Sequence, residues 1–150
     1  MKEVPPEIFA LYFSAFSPHA IEYEGVIYPT VEHAYHCLRY SDPKVVKEIL
    51  DARSPEIAWR LSQGHKATRS PEYLDENKKL ALMSKLMRAK LQQHEDVRRA
   101  LVETGEIPII KRIVAGPPGD GFWDIGDDGR GENHVGKIWM ILRAELKLLP

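Results

Sequence analysis

The chain has one cysteine, Cys37, so no internal disulfide can form and a small stapled scaffold is excluded. A reducing, cytoplasmic setting is the compartment expected. No apolar run is long enough to span a bilayer, and the opening Met-Lys-Glu-Val-Pro-Pro lacks the apolar core of a signal peptide. No membrane partner is therefore expected. Internal repeats and low-complexity tracts are missing too. Neither sign of charge dominates: 21 Lys and Arg face 22 Asp and Glu, a net charge of −1. No global field draws such a protein to nucleic acid or lipid. Locally, residues 60–112 hold 12 basic against 7 acidic side chains. Solvated helix faces are the simplest account of that surplus, and an anion-binding surface is the alternative.

Glycine is scarce outside one segment. Seven of the ten glycines lie between Gly116 and Gly136, just ahead of an apolar helical pattern. Glycine offers no side chain to pack and costs entropy to order. Such a concentration points to backbone approaching a ligand near a helix start. The segment carries no P-loop, no dinucleotide fingerprint and no calcium-loop spacing. Phe122, Trp123 and Ile125 argue against a loose loop. Trp123 is placed to stack on a planar base or to pack in a core. Asn133 is read as the cap of the last helix and Gly136 as a tight turn into it, so that helix N–H groups face a phosphate.

The 150 residues suffice for one domain with its own core. Ile21–Tyr28 alternates around Gly25 and predicts a hairpin. Thr30 is a cap for a helix to about Ser41, and Asp42-Pro43 and Ser54-Pro55 open two more, to about Ala52 and Gly64. A polar loop over His65–Glu72 leads to a long helix over Leu74–Gln92, with Leu80, Met83, Met87 and Leu91 in one row. Glu95–Thr104 reads as a helix and Ile109–Val114 as a strand. The final helix runs from Val135 to about Leu149, with Val135, Ile138, Trp139, Leu142, Leu146 and Leu149 as its core stripe, extended by Met140 and Ile141. The fold class expected is α+β: a predominantly helical single domain with a small antiparallel sheet.

The first of these helices carries Glu32, His33, His36 and Arg39. Glu32, His36 and Arg39 share one stripe. A first-turn carboxylate also suits the helix dipole without any function. A metal site is not expected: the paired-histidine spacing is absent and Cys37 adds no convincing fourth ligand. In the long helix, Lys90 stands i+3 from Met87 and i+4 from Leu86, beside the apolar face. There it either snorkels to water or serves as an amine of lowered pKa that forms a Schiff base.

Together these pieces resemble the NADAR family of YbiA-like proteins over about Phe13 to Leu146. Phe16-Ser17-Pro18 with Ile21 through Tyr35 is similar to the family's N-terminal signature. Met87-Arg88-Ala89-Lys90-Leu91 is similar to its central motif. Phe122-Trp123 through Asn133, Gly136 and Met140 to Arg143 is similar to its C-terminal signature. Two positions depart: Arg39 stands where a lysine is frequent, and Asp124 where the family often has glycine. The resemblance implies an N-glycosidase that cleaves a ribose–base C–N bond without a cofactor. Glu32 and Lys90 are its implied catalytic residues. His33, Tyr35 and Arg39, with Trp123, Gly126, Asp128, Gly129, Arg130, Asn133 and Gly136, are its implied ligand contacts. The expected substrates are ADP-ribose on guanine, in DNA or a smaller fragment, or phosphorylated ribosylamino-pyrimidines of the riboflavin pathway. A non-catalytic module binding ADP-ribose or NAD-like ligands is the other class. A guanine-specific activity would suit an antitoxin with a cognate ADP-ribosyltransferase toxin as partner.

Overall fold

The computed structural model describes residues 2–114 and 119–149. The Gly116-Pro117-Pro118 start of the glycine segment lies outside the described residues. By its internal contacts the chain forms two compact units, Ala15–Gln93 and Met1–Ser14 with His94–Pro150.

The Ala15–Gln93 unit opens with a hairpin. Strands β1 (Ile21–Tyr23) and β2 (Val26–Tyr28) pair antiparallel, with Ile21 opposite Tyr28. Glu24 and Gly25 turn the chain at φ of 50° and 83°, the two positive values that match the strands' twist. Three helices follow, each started by a short polar cap as the sequence predicts. They are α2 (Val31–Cys37), α3 (Pro43–Leu50) and α4 (Pro55–Gly64), and Thr30, Asp42 and Ser54 each accept a backbone N–H. Helix α2 stops at Cys37 rather than near Ser41. Its end tightens, with Arg39 and Tyr40 bonding back only three residues, to His36 and Cys37. The polar stretch after Gly64 holds two 3₁₀ turns, Lys66–Thr68 and Pro71–Leu74. Helix α5 (Glu76–Gln93) then packs against β1 and α2. It buries Leu82, Met83, Leu86, Met87 and Leu91.

The other unit contains a short helix α1 (Pro6–Ile8) that continues into a π turn over Phe9–Phe13. The sequence reading had no element there. Helices α6 (Glu95–Glu103) and α7 (His134–Lys147) pack together. Trp139 lies on Phe13 with ring centres 5.2 Å apart and donates its indole N–H to the Phe13 carbonyl at 2.8 Å. Each such fully buried aromatic contributes on the order of 1.5–3 kcal/mol.

Two expectations for this unit fail. Ile109–Val114 is not a strand. Its β-branched run has no partner strand, and Lys111 instead bonds the loop through Ile125 N–H and the Asn133 side chain. Of the expected stripe, Val135, Ile138, Trp139 and Leu142 are buried, but Ile141 is exposed, and so is Leu149, beyond the end of α7. The chain therefore has a predominantly helical α+β fold with one two-stranded antiparallel sheet. Among the described residues no helix is long and apolar enough to cross a membrane.

Candidate active site

The chemistry of the Ala15–Gln93 unit gathers on α2, and its start explains why. Thr30 is extended and accepts the His33 N–H at 3.1 Å. The Thr30 hydroxyl also meets His33 Nδ1 at 2.8 Å, and His33 Nε2 meets the Ala52 carbonyl at 3.0 Å. A carbonyl only accepts, so Nε2 carries the hydrogen and Nδ1 takes the threonine's. Both ring nitrogens of His33 are thus spent on the fold, which leaves its expected ligand contact without a donor or acceptor.

Glu32 follows Thr30 and inherits a buried position, 7% exposed. Its Oε2 accepts from His36 Nε2 at 3.1 Å, one turn along. His36 is buried as well, and its Nδ1 has no hydrogen-bond partner among the described residues. Tyr35 stands edge-on to the His36 ring at 5.3 Å. Just past the helix, Arg39 lays its guanidinium over the Tyr35 ring, Cζ 4.4 Å from the centroid. Its Nη1 donates to the Tyr35 hydroxyl at 2.8 Å, while the buried Nε has no partner among the described residues. Burial raises the Tyr35 phenol above its ordinary pKa, partly offset by Arg39. Burial also pushes the Arg39 guanidinium below its usual value, and the charge of Arg69 adds to that effect.

Lys90, on α5, does not snorkel. It is 0% exposed and donates from Nζ to Ser17 Oγ at 2.5 Å. The Ser17 hydroxyl in turn meets His19 Nδ1 at 2.8 Å. A buried ammonium is costly unless hydrogen-bonded, and Ser17 supplies one such bond. The unit therefore holds a buried carboxylate, an imidazole and a buried amine on the packed pair α2 and α5. His36 stood in the expected α2 stripe with Glu32 and Arg39, whereas Ser17 was not singled out in the sequence. Ser17 sits in the Phe-Ser-Pro part of the N-terminal signature, which was its only signal.

The remaining expected contacts lie in the other unit. Gly126 and Gly129 hold φ of 73° and 74°, the left-handed region glycine tolerates. Asp128 Oδ1 accepts the Arg130 N–H at 3.0 Å. Asp124 is buried and accepts the Gly126 N–H at 2.7 Å, so this departure from the family pattern forms a turn of its own. Trp123 is half-buried and stands perpendicular to Phe122 at 4.7 Å. The described part of the segment borders a cavity of about 540 Å³. Among the described residues, Asp120, Asp127, Asp128 and Glu132 line it, with Arg130 as the one cation. That field repels a phosphate.

Asn133 is not a side-chain cap. It sits at φ 53°, its Oδ1 accepts the Lys111 N–H at 2.8 Å, and its Nδ2 donates to the Ile109 carbonyl at 3.1 Å. Gly136 lies inside the first turn of α7, where a Cβ would collide with the Ile109 carbonyl. Both residues clamp the 109–111 segment, a local structural job.

Comparison with known proteins bears on this arrangement. The NADAR domain family matches residues 6–147. The N-glycosidase YbiA of Escherichia coli is 29% identical over 136 residues, covering 91% of this chain and 81% of that protein. An N-glycosidase of Nostoc punctiforme is 33% identical over 140 residues, covering 91% and 86%. A riboflavin biosynthesis protein of Vibrio vulnificus is 27% identical over 91% of this chain but only 35% of its own length. The NMR structure of E. coli YbiA superposes with a TM-score of 0.78, at 29% identity, over 91% of this chain and 77% of that one.

Proposed function

The chain belongs to the NADAR family, and from that premise we propose that it is an N-glycosidase hydrolysing the bond between a ribose anomeric carbon and a base nitrogen. The observation that carries this reading is the buried Glu32 carboxylate held by His36 at 3.1 Å. Breaking a glycosidic C–N bond sends its electron pair to the base nitrogen, which takes up a proton. Positive charge is left at the anomeric carbon. A fixed carboxylate in a water-poor site stabilises that charge strongly. Water then adds to the carbon, and its proton passes to the carboxylate, whose release of it balances the proton taken up by the base. The N-glycosidase names of the E. coli and Nostoc relatives support the same class.

Lys90 has a second part. Its neutral amine adds to the aldehyde of the opened sugar, forming an imine and releasing water, and a later water reverses the link. The unprotonated amine is the form that attacks.

The substrate we favour is ADP-ribose joined to guanine, with reversal of ADP-ribosylation, and an antitoxin role, as the biological outcome. The second reading, hydrolysis of phosphorylated ribosylamino-pyrimidines, has the name of the Vibrio relative behind it. Incubation with each substrate and analysis of the products tests both. Free ADP-ribose from modified guanosine supports the first, and turnover confined to the pyrimidine supports the second. Binding without turnover of either leaves a ligand-binding module and defeats the enzyme reading.

A further inference from the structure

Arg69 was not singled out in the sequence, yet it stands with Arg39 in an unusual setting. Neither guanidinium has a carboxylate partner among the described residues. Arg39, 5% exposed, has Tyr35 as its one hydrogen-bond partner there, and its Nε has none. Arg69 donates from Nε to the Tyr40 hydroxyl at 3.0 Å. Its Nη2 reaches the Ser62 carbonyl at 3.4 Å, the Ser62 hydroxyl at 3.2 Å and Gln63 Oε1 at 2.8 Å. Every one of these partners is a neutral oxygen. The Ser70 N–H bonds the Arg39 carbonyl at 2.9 Å, tying the two backbones together.

The two cations feel each other: Arg69 is among the charges that lower Arg39, and no carboxylate is among those that raise it. Burying a guanidinium without an anion is costly. A guanidinium left with an unused Nε offers a fork suited to a phosphoryl oxygen. Tyr35 holds Arg39, and Tyr40, Ser62 and Gln63 hold Arg69, in fixed positions, so little further ordering is needed on binding. Arg39 also lies seven residues along the chain from Glu32, just past the end of the same helix.

From this geometry we infer that Arg39 and Arg69 form a subsite for a phosphate or diphosphate group of the substrate. The inference rests on the N-glycosidase reading for the word substrate, and it assigns the phosphate to the Ala15–Gln93 unit. The ligand class is a ribosyl compound bearing a phosphoryl group, held by that group while Glu32 faces the glycosidic end.

Titration with inorganic pyrophosphate tests the subsite without any turnover. Wild-type protein should bind it. Arg69→Gln and Arg39→Lys should each weaken it by about tenfold or more, as expected for a charge-assisted contact. Lys66→Gln, an exposed neighbour, should change affinity less than twofold. Thermal melts establish that the variants are folded. No binding by wild-type protein, or equal binding by folded Arg69→Gln, overturns the subsite even if the enzyme hydrolyses N-glycosides. Arginine-dependent binding by a protein that cleaves no N-glycoside keeps the subsite and defeats the N-glycosidase reading instead.

Discussion

His36 donates from Nε2 to Glu32 Oε2 at 3.1 Å, one turn along α2, while its own Nδ1 is buried without a partner. A buried imidazole with one nitrogen on a carboxylate and the other unsatisfied is poised to pass a proton. Glu32→Gln keeps the shape and can still accept from His36, so its melting temperature should stay within a few degrees. Its turnover should fall on the order of 10²–10⁴-fold. His36→Gln should lower kcat less and displace the pH–rate profile. A Glu32→Gln enzyme with near-normal kcat removes the carboxylate from the chemistry.

Lys90 has no exposed surface and rests on Ser17 at 2.5 Å. Borohydride added during turnover should trap a sugar on the wild-type chain, at Lys90 by peptide mass. Lys90→Met, of similar length and without the amine, should give no adduct. Trapping at a different lysine, or normal turnover by Lys90→Met, excludes the imine.

Cys37 is 2% exposed, and burial, helped by the charge of Asp51, pushes its thiol up to about 12. The thiolate is the reactive form. Native protein at pH 8 should therefore resist iodoacetamide, and denatured protein should react at once. The sign of the linkage follows. The native thiol keeps its proton where the unfolded one releases it, near pH 8.5. This contribution is fully present below that value and is lost as pH rises toward 12. Rapid native alkylation would contradict this account.

Asn133 bonds Ile109 and Lys111, and Gly136 packs against the Ile109 carbonyl. Asn133→Ala leaves a buried carbonyl and an N–H short of partners, at about 1–3 kcal/mol for each. Gly136→Ala forces α7 away from Ile109. Both should lower stability in urea while leaving pyrophosphate affinity of the folded protein unchanged. A loss of affinity at unchanged stability would return these residues to the ligand.

Features set by neighbouring residues were legible in the sequence. The Glu24-Gly25 turn and the caps Thr30, Asp42 and Ser54 depend on a few residues each, and the structure has all of them. The Ile109–Val114 pattern was not, because β-branched residues describe a strand only when another strand is there to pair. The same holds within the site. Glu32 and Arg39 stood out as a helical stripe. The burial of Lys90 on Ser17, and the approach of Arg69 through Tyr40, join residues 73 and 29 positions apart. The asparagine at the start of α7 looked like a cap because caps are chosen from such residues, and its side chain had a long-range carbonyl to satisfy instead.

Product analysis with ADP-ribosylated guanosine tests the central claim most directly. Wild-type protein should release free ADP-ribose and unmodified guanosine, and folded Glu32→Gln should release neither at a comparable rate. Release of no ribosyl product from this substrate or from a ribosylamino-pyrimidine phosphate, by folded wild-type protein, would contradict the account.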